Sequence, residues 1–186
     1  MTAAELVVLL NDDGDPVGTA DKRTVHTAET PLHLGFSCHL VNDAGEVLLT
    51  RRSLTKRTWP GVWTNSFCGH PGPGESLEDA VRRRARDELG TTVEAVRLVL
   101  PDFRYRATDA DGVVENEVCP VLVARSAAPL DPNPSEIAEH AWLSPEALVA
   151  AVSAAPFAFS PWLVEELPRL AAIGALDASD AAEHRA

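Results

Sequence analysis

Positive charge is in short supply in this 186-residue chain: 16 Lys and Arg face 28 Asp and Glu, for a formal net charge of −12. That balance argues against a nucleic-acid-binding surface, which would be basic, and bears on solubility more than on fold. Cysteine is scarce as well. Cys38, Cys68 and Cys119 form an odd, widely spaced set. Such a set does not read as a disulfide framework and suits a reducing, cytoplasmic compartment. Long apolar runs are also missing. The stretch Leu6 to Leu10 has no basic flank and is too short for a secretory signal, and no segment approaches the roughly 20 apolar residues that span a bilayer. No internal repeat is visible. The expectation is a globular cytoplasmic protein with neither nucleic acid nor membrane as partner; the 45% hydrophobic content supports a packed core.

The pattern of elements is mixed. Leu6 to Leu10 reads as a strand closed by the turn Asn11-Asp12-Asp13-Gly14. Leu34 to Val41 and Val47 to Thr50 flank Asn42-Asp43-Ala44-Gly45 as a hairpin. Glu75 to Leu89 is the clearest helix. Ser76 can cap it, Leu77, Ala80, Val81, Ala85 and Leu89 give it an apolar stripe, and Gly90 can end it. Further strands are expected over Val93 to Leu100 and Asp102 to Thr108, then one long strand over Val113 to Ala124. Ser144-Pro145 and Ser160-Pro161 each open a helix, the second one shortened or kinked at Pro168. Residues from Ala175 onward are small and polar and should fray. Strands, a central helix, more strands and terminal helices point to an α+β type of α/β fold, a mixed sheet with helices packed on it.

Chemistry-bearing residues stand close together in Asn65-Ser66-Phe67-Cys68-Gly69-His70-Pro71 and in the charged helix after it. Cys68 reads two ways: as a buried structural thiol, or as a reactive one if a metal or cations lower its pKa. Cys38 and Cys119, without basic neighbours, look like core residues. On a strand, Glu115 and Glu117 share a face, which is costly unless a cation or proton lies between them; the plainer alternative is a solvated edge strand. With His26, His33 and His70 they would complete an N/O shell for a divalent transition metal, although the spacing matches no short zinc motif. His39, His140 and His184 have no such company and read as structural or surface residues. Arg84 and Glu88, four apart, are either a helix salt bridge or a phosphate contact and a Mg²⁺ ligand.

Several motifs then carry a resemblance. His26-Thr27-Ala28 with Leu32-His33-Leu34, Trp59-Pro60-Gly61-Val62-Trp63-Thr64-Asn65-Ser66 running into Cys68-Gly69-His70-Pro71, Tyr105-Arg106-Ala107, and Glu115-Asn116-Glu117-Val118-Cys119-Pro120 occur in order. With them the chain, from about Leu6 to Trp162, resembles the type I isopentenyl-diphosphate isomerases of the Nudix superfamily. Gly69, Glu75, Arg83, Glu88 and Gly90 fall in register with the Nudix box. Arg84 stands where the hydrolases carry Glu, and Asp87 replaces another Glu. A cation at that place should weaken metal-assisted hydrolysis and favour an intact diphosphate.

The resemblance implies a Nudix-like mixed sheet sandwiched between helices, with an N-terminal extension and C-terminal helices. It also implies one domain over 1–174, a flexible tail over 175–186, and a monomer acting on a small-molecule diphosphate. It casts His26, His33, His70, Glu115 and Glu117 as ligands of a divalent ion (Mn²⁺, Zn²⁺ or Mg²⁺). Glu88 and the backbone carbonyl of Cys68 become the site of a diphosphate-bridging Mg²⁺. Cys68 and Glu117, with Tyr105 beside Glu117, become the proton-transfer groups. Lys22, Arg52, Lys56 and Arg84 become diphosphate contacts, and Trp162 an aromatic wall. The alternatives are a Nudix diphosphate hydrolase and a catalytically inactive diphosphate-binding module.

Overall fold

The structure, a computed structural model, describes residues 5–177. In order along the chain the elements are β1 (Leu6–Leu10), β2 (Pro16–Asp21), α1 (Lys22–Val25), β3 (His33–Leu34), β4 (Phe36–Val41), β5 (Val47–Arg52), β6 (Trp63–Thr64), β7 (Phe67–Gly69), α2 (Leu77–Leu89), β8 (Val93–Leu100), β9 (Arg104–Thr108), β10 (Val114–Val118), β11 (Val121–Ser126), β12 (Ile137–Leu143), α3 (Pro145–Ala154) and α4 (Pro161–Ala172).

The strands form two mixed sheets rather than the single sheet expected. One runs β2-β1-β3-β10-β9; the other runs β12-β5-β4-β11-β8, with β6 beside β5 and β7 beside β4. Two segments pass through both. β3 continues into β4, β10 continues into β11, and both junctions are parallel pairs. The crossing points are Gly35, whose N–H donates to the Val118 carbonyl, and Cys119-Pro120, where the Pro120 carbonyl accepts from the Ser37 N–H. The long strand expected over Val113 to Ala124 is therefore two strands in two sheets. Pro120 has no N–H to continue a ladder, and the chain bends there. Leu34 likewise belongs to the first sheet, so the expected hairpin begins only at Phe36, and β4 and β5 pair just at Val41 and Val47.

The second sheet is buried on both faces. Alternation along β4 sends Phe36, Cys38 and Leu40 to one side, against Ala80, Val81, Ala85 and Leu89 of α2. Val41, Val121 and Val123 face the other side, against Leu148 and Val152 of α3 and Leu163, Leu167 and Leu170 of α4. Each fully buried Leu or Phe in these layers is worth about 1.5–3 kcal/mol. Ser76 caps α2 by accepting from Asp79 N–H, and Gly90 ends it at φ 61°. Gly69 is needed for the close approach of β7 to that helix, because a Cβ would sit 2.8 Å from Arg84 Cγ.

At the C-terminal end, the expected shortening of the last helix and the expected start of the tail are not met. Pro168 does not shorten α4. Leu163, Leu167 and Leu170 are buried on one face, which offsets the roughly 3 kcal/mol cost of an interior proline. Ala175 and Leu176, assigned above to a fraying tail, are 3% and 2% exposed within the core. Residues 178–186, including His184, lie outside the described residues. Among the described residues, no helix is long and apolar enough to cross a membrane.

Candidate active site and metal centre

The seam between the two sheets gathers the candidate residues. Asp21 caps the one-turn helix α1 by accepting from Arg23 N–H, and His26 follows directly after it. His33 sits on β3 in register with Glu117 of β10, and Glu117 lies opposite Tyr105 of β9. Cys68 of β7 pairs with Ser37 of β4, and His70 follows one residue beyond the strand.

Four side chains, His26, His33, His70 and Glu117, each bring one ligand atom within 4.8 Å of all the others. His70 Nε2 is 2.9 Å from Glu117 Oε1 and 3.2 Å from His33 Nε2. His33 Nδ1 lies 2.9 Å from the Pro31 carbonyl. That carbonyl can only accept, so Nδ1 carries the hydrogen and Nε2 turns toward the cluster. Glu115 joins through Oε2, 3.0 Å from His26 Nε2, while its Oε1 accepts from Thr58 Oγ1 at 2.8 Å. The contact to His26 is not aligned as a hydrogen bond, and both atoms are buried without a partner. Buried orphans of this kind are costly, and a cation set between imidazole nitrogens and carboxylate oxygens removes that cost. The residues present fit a divalent metal.

Glu117 and His70 are held in the forms that a metal ligand needs, whereas His33 is shifted the other way. Burial opposes ionisation of Glu117, but hydrogen bonds to His33 and His70 outweigh it and hold its carboxyl well below the usual range. Burial lowers His70. Burial also works to lower His33, but its bond to Glu117 prevails and raises it. Tyr105 is pushed well up by burial and by the charge of Glu117, so it stays a phenol that can donate.

Of its two readings, Cys68 is nearer the buried thiol than one activated by adjacent cations. Burial drives its pKa far up, the Glu166 charge adds to this, and Arg52 offsets little. Its Sγ donates to Asn65 Oδ1 at 3.2 Å. Cys38 and Cys119 are buried free thiols, as expected of core residues. His39 is also interior: with no exposure, it meets the equally buried Glu166 at 3.0 Å, and Ser37 Oγ donates to the same carboxylate oxygen.

A cavity of about 440 Å³ opens onto this cluster. Cys68, His70, Tyr105, Glu115, Glu117 and Trp162 line it together with Lys22, Arg52, Lys56, Arg84 and Glu88; His33 is not part of this lining. Arg23, Arg57 and Thr58 also line the cavity. Sequence reasoning missed Arg23 and Thr58, because a single charge or hydroxyl group in a polar segment carries no signal of direction. The cations are already partnered: Lys22 with Glu5 at 2.9 Å, Lys56 with Glu136, and Arg84 Nε with Glu88 at 3.0 Å. Arg52 donates to the Thr58 carbonyl at 2.8 Å and lies 5.6 Å from the centre of the Trp162 ring. An anion entering here exchanges partners with carboxylates rather than meeting bare cations. Trp162 is flanked by Tyr105 and Trp59, each with its ring centre 5.5 Å away.

Gly35, which no motif singled out, makes room for Glu117. A Cβ at this position would lie 2.1 Å from Glu117 Oε2.

Known proteins share this sequence and fold. Residues 31–163 match the family model described as the NUDIX domain. An isopentenyl-diphosphate Delta-isomerase of Paenarthrobacter aurescens (strain TC1) is 61% identical over 98% of this chain and all of its own length. One from Clavibacter sepedonicus is 63% identical over 89% of this chain and 87% of its own. A crystal structure from Deinococcus radiodurans superposes with a TM-score of 0.68 at 26% identity, covering 89% of this chain and 98% of that one. A MutT protein from Methanosarcina mazei Go1 shares the fold at a TM-score of 0.57 and 20% identity, over 77% of this chain and 96% of that one.

Proposed function

The chain belongs to the Nudix family and, within it, to the isopentenyl-diphosphate Delta-isomerases, and from that premise we propose how its pocket interconverts isopentenyl and dimethylallyl diphosphate. The observation that carries the proposal is the lining of one cavity. A thiol, a carboxylate with a phenol opposite it and an indole line it together with a set of cations.

The reaction adds a proton to the terminal alkene carbon, leaving a tertiary carbocation, and removes a proton from the neighbouring carbon to place the double bond internally. Cys68 and Glu117 are the two groups that give and take these protons, and their roles exchange when the direction reverses. Tyr105, held as a phenol opposite Glu117 on the neighbouring strand, relays or retains its proton. Trp162 presents a π face to the cation, worth about 0.5–2 kcal/mol. Lys22, Arg52, Lys56 and Arg84 hold the diphosphate, which must stay attached through the cationic stage.

His26, His33, His70, Glu115 and Glu117 would hold one divalent ion (Mn²⁺, Zn²⁺ or Mg²⁺), and Glu88 with the Cys68 carbonyl a Mg²⁺ at the diphosphate. When bound, such ions supply positive charge that alters the acidity of adjacent groups and neutralises the phosphates. Arg84 argues against hydrolysis. It puts a buried guanidinium, paired with Glu88, where the Nudix box of hydrolases has a carboxylate.

Incubating the protein with isopentenyl diphosphate and Mg²⁺ in D₂O, followed by NMR, tests the reading. Deuterated dimethylallyl diphosphate is expected. Inorganic phosphate would indicate a hydrolase, and unchanged substrate a binding module; either would overturn the proposal.

A further inference from the structure

Asn65 sits between β6 and β7 with no exposure to solvent. Its amide nitrogen donates to the carbonyls of Cys38 and Phe67, at 3.1 and 2.7 Å. Both partners can only accept, so the amide cannot be turned over, and Oδ1 must face the other way. There it accepts from Thr64 Oγ1 at 2.7 Å, Trp162 Nε1 at 2.9 Å and Cys68 Sγ at 3.2 Å. The indole N–H can only donate, which sets the same orientation a second time.

Cys68 and Trp162 come from β7 and α4, nearly a hundred residues apart in sequence, yet their polar atoms share one oxygen. The nearby Thr64–Ser160 hydroxyl contact, at 2.8 Å, ties down the start of α4. It does not orient the thiol or the indole ring.

We propose that Asn65 is the positioning residue of the isomerisation: its side-chain oxygen sets the Cys68 thiol and the Trp162 ring in register, so that proton transfer and cation stabilisation act on the same carbons. The inference rests on the isomerase reading. It assigns Asn65 no contact with substrate: Asn65 is not part of the cavity lining, and its side-chain hydrogen bonds reach neither Lys22, Arg52, Lys56 or Arg84 nor the histidine cluster. Its loss therefore acts on kcat and not on KM. Displacing reacting groups by about an ångström costs roughly a hundredfold in rate.

The test is steady-state kinetics on folded, metal-loaded protein. Asn65→Ala should lower kcat about a hundredfold with KM within about threefold of the wild type, on the scale of such misplacement. Benzothienylalanine in place of Trp162 keeps the bicyclic face and removes only the N–H. It should lower kcat about tenfold at unchanged KM, and in that background Asn65→Ala should cost clearly less than in the wild type. Wild-type kcat in either variant, or effects that multiply without coupling, would overturn the proposal. If Asn65→Ala does not fold, the benzothienylalanine variant decides alone. A wild-type protein that fails to isomerise would defeat the functional reading instead, so the two failures are distinguishable.

Discussion

Removing one imidazole from the histidine cluster should remove most of the metal-linked stability. Ligand atoms of His26, His33, His70 and Glu117 converge within 4.8 Å, and the site exists only in the folded chain, so ion binding adds directly to folding free energy. At an ion concentration a hundred times Kd the gain is about 2.7 kcal/mol. For a chain of this size 1 kcal/mol moves Tm by about 2–4 °C, so the melting point of the metal-free protein should rise by roughly 5–11 °C. His70→Ala removes an imidazole that lies 2.9 Å from Glu117 and 3.2 Å from His33. A hundredfold loss of affinity would bring the same ion concentration down to Kd, where the gain is only about 0.4 kcal/mol, or roughly 1 °C. Differential scanning calorimetry with Mn²⁺ or Zn²⁺, on wild type and variant stripped with a chelator, reads both numbers. An equal rise in the two proteins would place the stabilising ion elsewhere and refute the reasoning.

Gly35→Ala should cost at least a hundredfold in turnover while the protein stays folded, because a Cβ 2.1 Å from Glu117 Oε2 forces that carboxylate out of the cluster; activity near wild type would show that Glu117 can be held elsewhere. Glu166→Ala leaves Ser37 and His39 buried without their acceptor. Urea unfolding should show a loss of about 1–3 kcal/mol for each buried partner left unsatisfied, and a total loss under about 1 kcal/mol would make these contacts incidental. Hydrogen bonds from Arg83 hold the Glu75 carboxyl below its usual range. Its contribution to stability is therefore full at neutral pH and fades as pH falls below the ordinary carboxylate range, through the lower folded pKa. Glu75→Gln should flatten the acid limb of Tm against pH, and an unchanged limb would count against the ion pair.

The helix α2 was legible in the sequence because a capping serine, a 3.6-residue apolar stripe and a terminal glycine all agree. The candidate residues were legible through motifs, and the structure brings them to one seam. Other features had no local signal. Neither Val113 to Ala124 nor Leu34 to Val41 announces that it crosses between two sheets; only Pro120 hinted at the break, and periodicity on either side hid it. Pro168 misled because the burial of Leu163, Leu167 and Leu170 overrides a local preference. The tail was set too early because Ala175 and Leu176 look unremarkable alone but fill space against α3 and α4. The raised pKa of Cys68 depends on burial and on Glu166, a residue almost a hundred positions away whose direction no spacing rule supplies.

Turnover of Cys68→Ala, in protein whose circular dichroism and bound-metal content match the wild type, bears most directly on the proton-transfer assignment. If the Cys68 sulfur gives and takes the substrate's proton, turnover falls by about two to four orders of magnitude with the fold intact. Isomerisation within tenfold of the wild type would mean that another group moves the proton and that the thiol is only part of the core.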